Sequence, residues 1–175
     1  MKVSKEVVAR HRENLLEAAG RLLRERGFEK VGVAEVAAAA GLTHGALYAH
    51  FPSKEALCSE AVTRMLGKSA GAGGRQKRKA YVEAYLSPRH VRRRETGCPY
   101  TALAADVPRA SATIRAAFSR GLEHALDESA KRLGRRDRAI VSMALMVGAV
   151  VLARAADKPG LRDEILAVAK RELLE

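Results

Sequence analysis

Between positions 7 and 26 the larger apolar residues fall at Val8, Leu15, Leu16, Leu22 and Leu23, with Ala18 and Ala19 filling the same stripe and charges opposite. That is the period of an amphipathic helix. Gly27 follows the charged end Arg24-Glu25-Arg26, which predicts a left-handed C-terminal cap and a helix that stops there, with Phe28 turning back to the core. Two short apolar segments come next, 33–40 and 44–51, joined by Gly41-Leu42-Thr43. Short helices joined by a glycine-containing three-residue turn predict a helix-turn-helix over about 32–51. The Thr43 hydroxyl is placed to cap the second helix, and Ala37, Leu42 and Leu47 to form the small core between the two. Pro52 stops that helix, and Ser53 caps a further one from Lys54 to about Leu66.

From Gly67 to Lys79 the pattern breaks into small residues followed by Arg75, Lys77, Arg78 and Lys79, which predicts a flexible connection and a domain boundary. A helix from about Arg75 to Leu86 should stop before Pro88. Pro99 opens a short helix to Val107. Ser111 caps a longer one bearing Ile114, Phe118, Leu122, Ala125, Leu126 and Leu133, and Gly134 closes it. A helix from Asp137 to about Ala156, uncharged over 139–153, and a last helix from Pro159 complete an all-α chain without a strand candidate.

Length bounds this to one compact domain, or to a small domain fused to a larger one: 175 residues. With no Trp and only seven Phe and Tyr, the core must be built from Ala, Leu and Val. Two cysteines, Cys58 and Cys98, are too few for a disulfide scaffold, show no metal-ligand spacing, and fit a reducing cytosol. The first twelve residues carry five charges and no apolar run, unlike a signal peptide. The longest uncharged stretch, 139–153, falls short of the ~20 residues of a membrane span and reads as a buried helix. A net charge of +12 suits a polyanionic partner. Its distribution is uneven: residues 1–66 hold 10 basic and 8 acidic groups, whereas 67–100 hold 9 and 2.

The run from Val36 to Leu57 contains Gly41-Leu42-Thr43-His44-Gly45-Ala46-Leu47-Tyr48-Ala49-His50-Phe51-Pro52-Ser53-Lys54, with the spacing Leu-Tyr-x-His-Phe-x-x-Lys-x-x-Leu. It resembles the DNA-binding signature of TetR/AcrR-family transcriptional regulators over residues 6–66. In a helix-turn-helix the second helix enters the major groove with its N-terminal residues toward base edges. Those residues are Thr43, His44, Gly45 and Ala46: the small ones permit close approach, and His44 is a long donor able to reach a base. Tyr48 has its hydroxyl on a rigid ring suited to a phosphate oxygen, Lys54 adds a cation in the first turn of the next helix, and His50 falls near the backbone. The resemblance implies backbone contacts at Tyr48 and Lys54. Gly32 stands where a hydroxyl cap is commonest in the family, which puts one phosphate contact in question.

Residues 80–175 resemble the ligand-binding and dimerisation half of the same family, in the subgroup with Gly-Cys-Pro opening the short central helix. The resemblance implies a small-molecule pocket, for which Tyr85, Cys98, Tyr100, Leu103, Phe118, Leu122, Met143 and Met146 are the candidates, and a four-helix interface between two copies. The penultimate helix, apolar nearly all round, agrees with that interface; Ile140, Ala144, Val147, Gly148 and Val151 are its candidates, with Ile165 and Ala169 on the last helix. Cys98 lies near Arg92, Arg93 and Arg94 at a helix start, surroundings that favour a reactive thiolate; the alternative is a buried structural thiol. His11 and His90 read as solvated and His124 as half-buried. Gly67-Lys68-Ser69 ends like a phosphate loop, but Val62 occupies the position of its first glycine. No cofactor, metal constellation or acid–base pair of an enzyme is implied. The expectation is a cytoplasmic homodimeric repressor released from a palindromic operator by a small-molecule or thiol-reactive effector. The rival is a basic architectural protein that binds DNA without sequence preference.

Overall fold

The computed structural model describes residues 4–72 and 77–175, and every regular element among them is helical. The helices are α1 (Lys5–Lys30), α2 (Val33–Ala39), α3 (His44–Tyr48), α4 (Lys54–Ala72), α5 (Arg78–Tyr85), α6 (Pro88–Arg92), α7 (Pro99–Leu103), α8 (Ala112–Leu133), α9 (Arg136–Ala155) and α10 (Pro159–Leu174), with a single 3-10 turn at Val107–Arg109.

Hydroxyl side chains start these helices where the sequence places them. Ser4 accepts from the Val7 amide, Thr43 from Ala46 at 3.2 Å, Ser53 from Ala56 at 3.1 Å and Ser111 from Ile114 at 3.4 Å. Each satisfies an amide that the first turn leaves without a partner. Gly134 adopts φ 76° and ends α8. Gly27 also has positive φ, 79°, but the chain resumes helical hydrogen bonding for another turn to Lys30. A Cβ at Gly27 would collide with the Asp106 carboxylate, so this kink needs glycine both for its dihedrals and for its space.

One further expectation changes. Helix α4 does not stop near Leu66 but continues through Gly67 to Ala72, so the first part of the expected connection is helical. Helix propagation outweighs the cost of its two glycines. Of that connection, residues 73–76 lie outside the described residues. Downstream, α5 stops at Tyr85, ahead of Pro88 as expected, and Pro88 itself sits in the first turn of α6, capped by Ser87, where proline loses no hydrogen bond.

Two apolar clusters organise the molecule. One joins α1 to α4 with α7 and α8, through Leu15, Leu23, Leu47, Phe51, Val62, Leu66, Leu103 and Phe118; the other joins α5, α6, α9 and α10 through Val82, Leu86, Val150, Ala153 and Leu166. The first crosses the expected domain boundary, carried by α4 packing along α8. Gly121 lets α8 approach closely: a Cβ there would lie 2.7 Å from Leu66 Cβ. Arg154 ties the second cluster to the first by donating to the carbonyls of His90 and Val91 and to Thr101 Oγ1, the last at 3.0 Å.

Candidate nucleic-acid interface and effector cavity

Helix α3 is held by one inward side chain, Leu47, and by Phe51 just beyond it, both fully buried. Facing the other way, Thr43, His44, Gly45, Tyr48 and Ala49 are exposed. Tyr48 is 46% exposed, an unusual state for a large ring, and its ring meets the His44 ring edge-on at 5.2 Å. An added Cβ at Gly45 or Gly32 would meet nothing within 4 Å, so both backbones are open to close approach. Lys54 stands in the first turn of α4, half-buried beside the Ser53 cap. His50 packs edge-on against His11 at 6.2 Å; burial, then the neighbouring His11 and Arg12, hold its imidazole below the ordinary value. His11 is thus half-buried against the head rather than solvated. Arg12 fixes α1 to this surface, donating to both Glu60 carboxylate oxygens at 2.6 Å while its guanidinium lies 4.4 Å from the Phe51 ring centre. A bidentate arginine pair sets geometry as well as attraction.

Five of the eight expected pocket residues come together. Tyr85, Cys98, Tyr100, Met143 and Met146 line a cavity of about 150 Å³ between α5, α7, α8 and α9. Leu103, Phe118 and Leu122 do not line it: Leu103 and Phe118 are in the core cluster below, and Leu122 packs against that cluster. They were chosen on helical period alone, which identifies an inward face but not which inward side chains border a void. Tyr81, Val82 and Val147 are lining residues the pattern missed, as are Arg78, Ser129, Arg132 and Ser142. Polar residues bordering an apolar cavity leave no trace in a hydrophobic period. Burial pushes the Tyr81 hydroxyl up to about 12 and raises those of Tyr85 and Tyr100, so all three are neutral hydrogen-bonding groups. Tyr100 donates to the Gly121 carbonyl at 2.9 Å.

Cys98 is half-buried at the edge of this cavity, which Tyr85 also lines. The Cys98 amide donates to His90 Nε2 at 3.0 Å. His90 Nδ1, 2.7 Å from the Tyr85 carbonyl, therefore carries the proton. His90 is thus a partly buried bridge, not a solvated residue, and burial keeps its imidazole below the ordinary value. His124, conversely, is exposed on α8 rather than half-buried. The other thiol, Cys58, is buried in α4 and pushed up to about 11. Among the described residues no cluster of side chains could hold a metal ion.

On α9, Ile140, Val141, Val151 and Leu152 are exposed, Val141 at 64% and Leu152 at 59%, and Leu161 and Val168 of α10 are exposed as well. Ala144 is open to solvent, and Val147, Gly148 and Ile165 are half-buried. Ala169 differs: at 2% exposure it belongs to the seam where α10 packs on α9, so Val168 rather than Ala169 faces outward. Helix α9 is long and apolar enough to cross a membrane by composition, with 28% of its most apolar window buried within the protomer.

Residues 15–61 match the family described as bacterial regulatory proteins, tetR family. Those residues, in α1 to α4, carry the DNA-binding domain of that family. The matched domain is that of DNA-binding transcriptional regulators. The rest of the chain has the TetR-family fold. The reduced form of NemR from Escherichia coli is 23% identical with a TM-score of 0.75, covering 93% of this chain and 95% of that one. A TetR-family transcriptional regulator from Agrobacterium tumefaciens is 18% identical with a TM-score of 0.76, over 94% and 98%. The regulator FadR from Bacillus subtilis in complex with stearoyl-CoA is 14% identical with a TM-score of 0.61, over 90% and 96%. No curated protein matches the chain.

Proposed function

We propose that the protein is a homodimeric cytoplasmic repressor that reads a two-fold operator with α3 and leaves it when a small-molecule or thiol-reactive effector occupies the cavity beside Cys98. The observation that carries the DNA part is the outward face of α3, where His44 and Tyr48 stand exposed above a fully buried Leu47. On this reading, residues 6–66 are the reading head and 80–175 the effector and dimerisation half. Thr43, His44 and Gly45 approach base edges, while Tyr48, His50, Lys54 and the open amide end of α2 at Gly32 meet the phosphate backbone. The exposed apolar strip on α9 and α10 is the pairing face: Ile140, Ala144, Gly148 and Val151, with Ile165 at its edge, extend through Leu152 and Val168. A strip of this kind on a protein with +12 net charge is stable in water once covered. The cavity supports an effector role because it is mainly apolar with a few convergent polar groups, the usual make-up of a small-molecule site. FadR in complex with stearoyl-CoA is one neighbour of this fold with a ligand.

Coupling follows the packing. Helix α4 begins at Lys54 in the reading head, runs along α8 and ends with Ser69 against the cavity, so a ligand that shifts α8 changes the tilt of the head. Selection of binders from a pool of random duplexes is the test. An enriched inverted repeat with half-sites at least one helical turn apart, ~34–36 Å, is expected. A pool that stays random would overturn this reading in favour of an architectural protein.

A further inference from the structure

The cavity beside Cys98 adjoins a second, larger recess of about 540 Å³; the two share Ser69, Tyr81, Tyr85 and Cys98 on their walls. The recess is the more polar of the two, although Arg78 and Arg132 also border the cavity. Four cations border the recess, Arg24 of α1, Lys68 of α4, Arg89 of α6 and Arg93 just beyond it, and no carboxylate does. Among the described residues none of the four makes a salt bridge; on Arg24 burial outweighs the opposing influence of Cys98, then Glu95 and Glu17. Arg24 is half-buried and spends one donor, Nε, on the Glu95 carbonyl at 2.7 Å. Its remaining N–H groups have no protein acceptor among the described residues and are open to solvent, available to an anion in the recess.

We infer that the effector is a small amphipathic organic phosphate, with its phosphate-bearing head on Arg24, Lys68, Arg89 and Arg93 and its apolar end in the cavity lined by Tyr81, Tyr85 and Met146. Four cations around one carboxylate would leave most of their mutual repulsion uncompensated, whereas a phosphate ester brings two charges and three acceptor oxygens, and arginine forks match that geometry. Size fixes the other end. A cavity of about 150 Å³ is that of a single benzene ring. Long acyl chains do not fit. The position of Arg24 adds a regulatory consequence: α1 belongs to the reading head and Arg89 and Arg93 to the effector half, so a bound dianion bridges the two and fixes one relative arrangement.

This inference rests on the cavity being the effector site, and its test separates the two. Isothermal titration of the full chain without DNA would compare phenyl phosphate with inorganic phosphate, phenol and benzoate. Phenyl phosphate is expected to bind at least tenfold more tightly than each of the others and to weaken with added salt, while phenol does not. Arg89→Gln with Arg93→Gln removes two exposed charges whose side chains make no hydrogen bond or salt bridge among the described residues, and should cut phenyl phosphate affinity at least tenfold with phenol binding unchanged. Equal affinities for phenol and phenyl phosphate, or a double variant that binds phenyl phosphate as the parent does, would overturn the inference. Operator binding, measured separately on the same preparations, would be untouched by that failure. If phenyl phosphate binds as expected but leaves operator affinity unchanged, the site is real and the release mechanism proposed above is wrong.

Discussion

At the scale of single residues the fold uses short polar links whose chemistry is unambiguous. Lys54 is the clearest on the DNA side. In Lys54→Ala a phosphate contact disappears from each half-site, so binding should weaken equally on selected and random duplexes, and the slope of log K against log salt should fall by about 0.9 per subunit. A salt titration of both duplexes checks this. His90 is the clearest inside. Its Nε2 accepts from the Cys98 amide, so a proton there would face another donor, and burial and Arg154 both oppose the charged ring while the Tyr85 carbonyl favours it. The unfolded chain takes up a proton near 6.5 that the folded ring refuses, so stability is full above that pH and declines as pH falls through it. Replacing His90 by Gln, which retains an acceptor, should flatten that decline in urea midpoints between about pH 5 and pH 7; an unchanged profile would place the titration elsewhere, with His50 next to be considered. Neither His90's role nor that of Arg24 was legible in the sequence, because both depend on partners far along the chain or on backbone atoms. By contrast Thr43, Ser53, Ser111 and Gly134 were legible, since a cap acts within four residues of itself.

Elements follow from periodicity wherever one face is buried and the other wet. That is why α1, α8 and α10 were readable almost to their ends, and why α4 was not: the small residues after Leu66 carry no pattern, and only packing shows that the helix continues. The isolated glycine inside α8 is the signal that went unread. Glycine in a helix interior costs about 1 kcal/mol relative to Ala and calls for a packing reason. Here the reason is Leu66, fully buried on α4 and unable to withdraw. Gly121→Ala should lower stability by about 1–3 kcal/mol through overpacking and, since α4 carries the reading head, should change effector-dependent release more than DNA binding itself. Thermal melts and release titrations on one variant separate these effects. On α9 and α10 the sequence indicated an apolar excess, but which side chains face outward required the structure, as Ala169 and Val168 show. Leu152→Glu, on the exposed strip, should yield a monomer in sedimentation and lose operator affinity, while leaving the protomer folded; a dimer of unaltered strength would mean that the strip is not the pairing face.

For the whole molecule, net charge was a sound hint whose location matters more than its size. The reading head is nearly balanced, so on the proposed reading DNA recognition there would rely on placed residues such as His44, Tyr48 and Lys54, while three of the nine basic residues of 67–100, Lys68, Arg89 and Arg93, line the recess with Arg24. Continuity of one apolar core from α1 through α4 to α8 makes the chain one mechanical unit in which the cavity and α3 are linked by packed helices. The measurement that bears most directly on this account is the ratio of affinities for a selected inverted-repeat duplex and for random DNA at physiological salt. A regulator reading bases through α3 should prefer its site by ~10³-fold or more, with His44→Ala reducing that ratio. Equal affinity for the two duplexes would contradict the account.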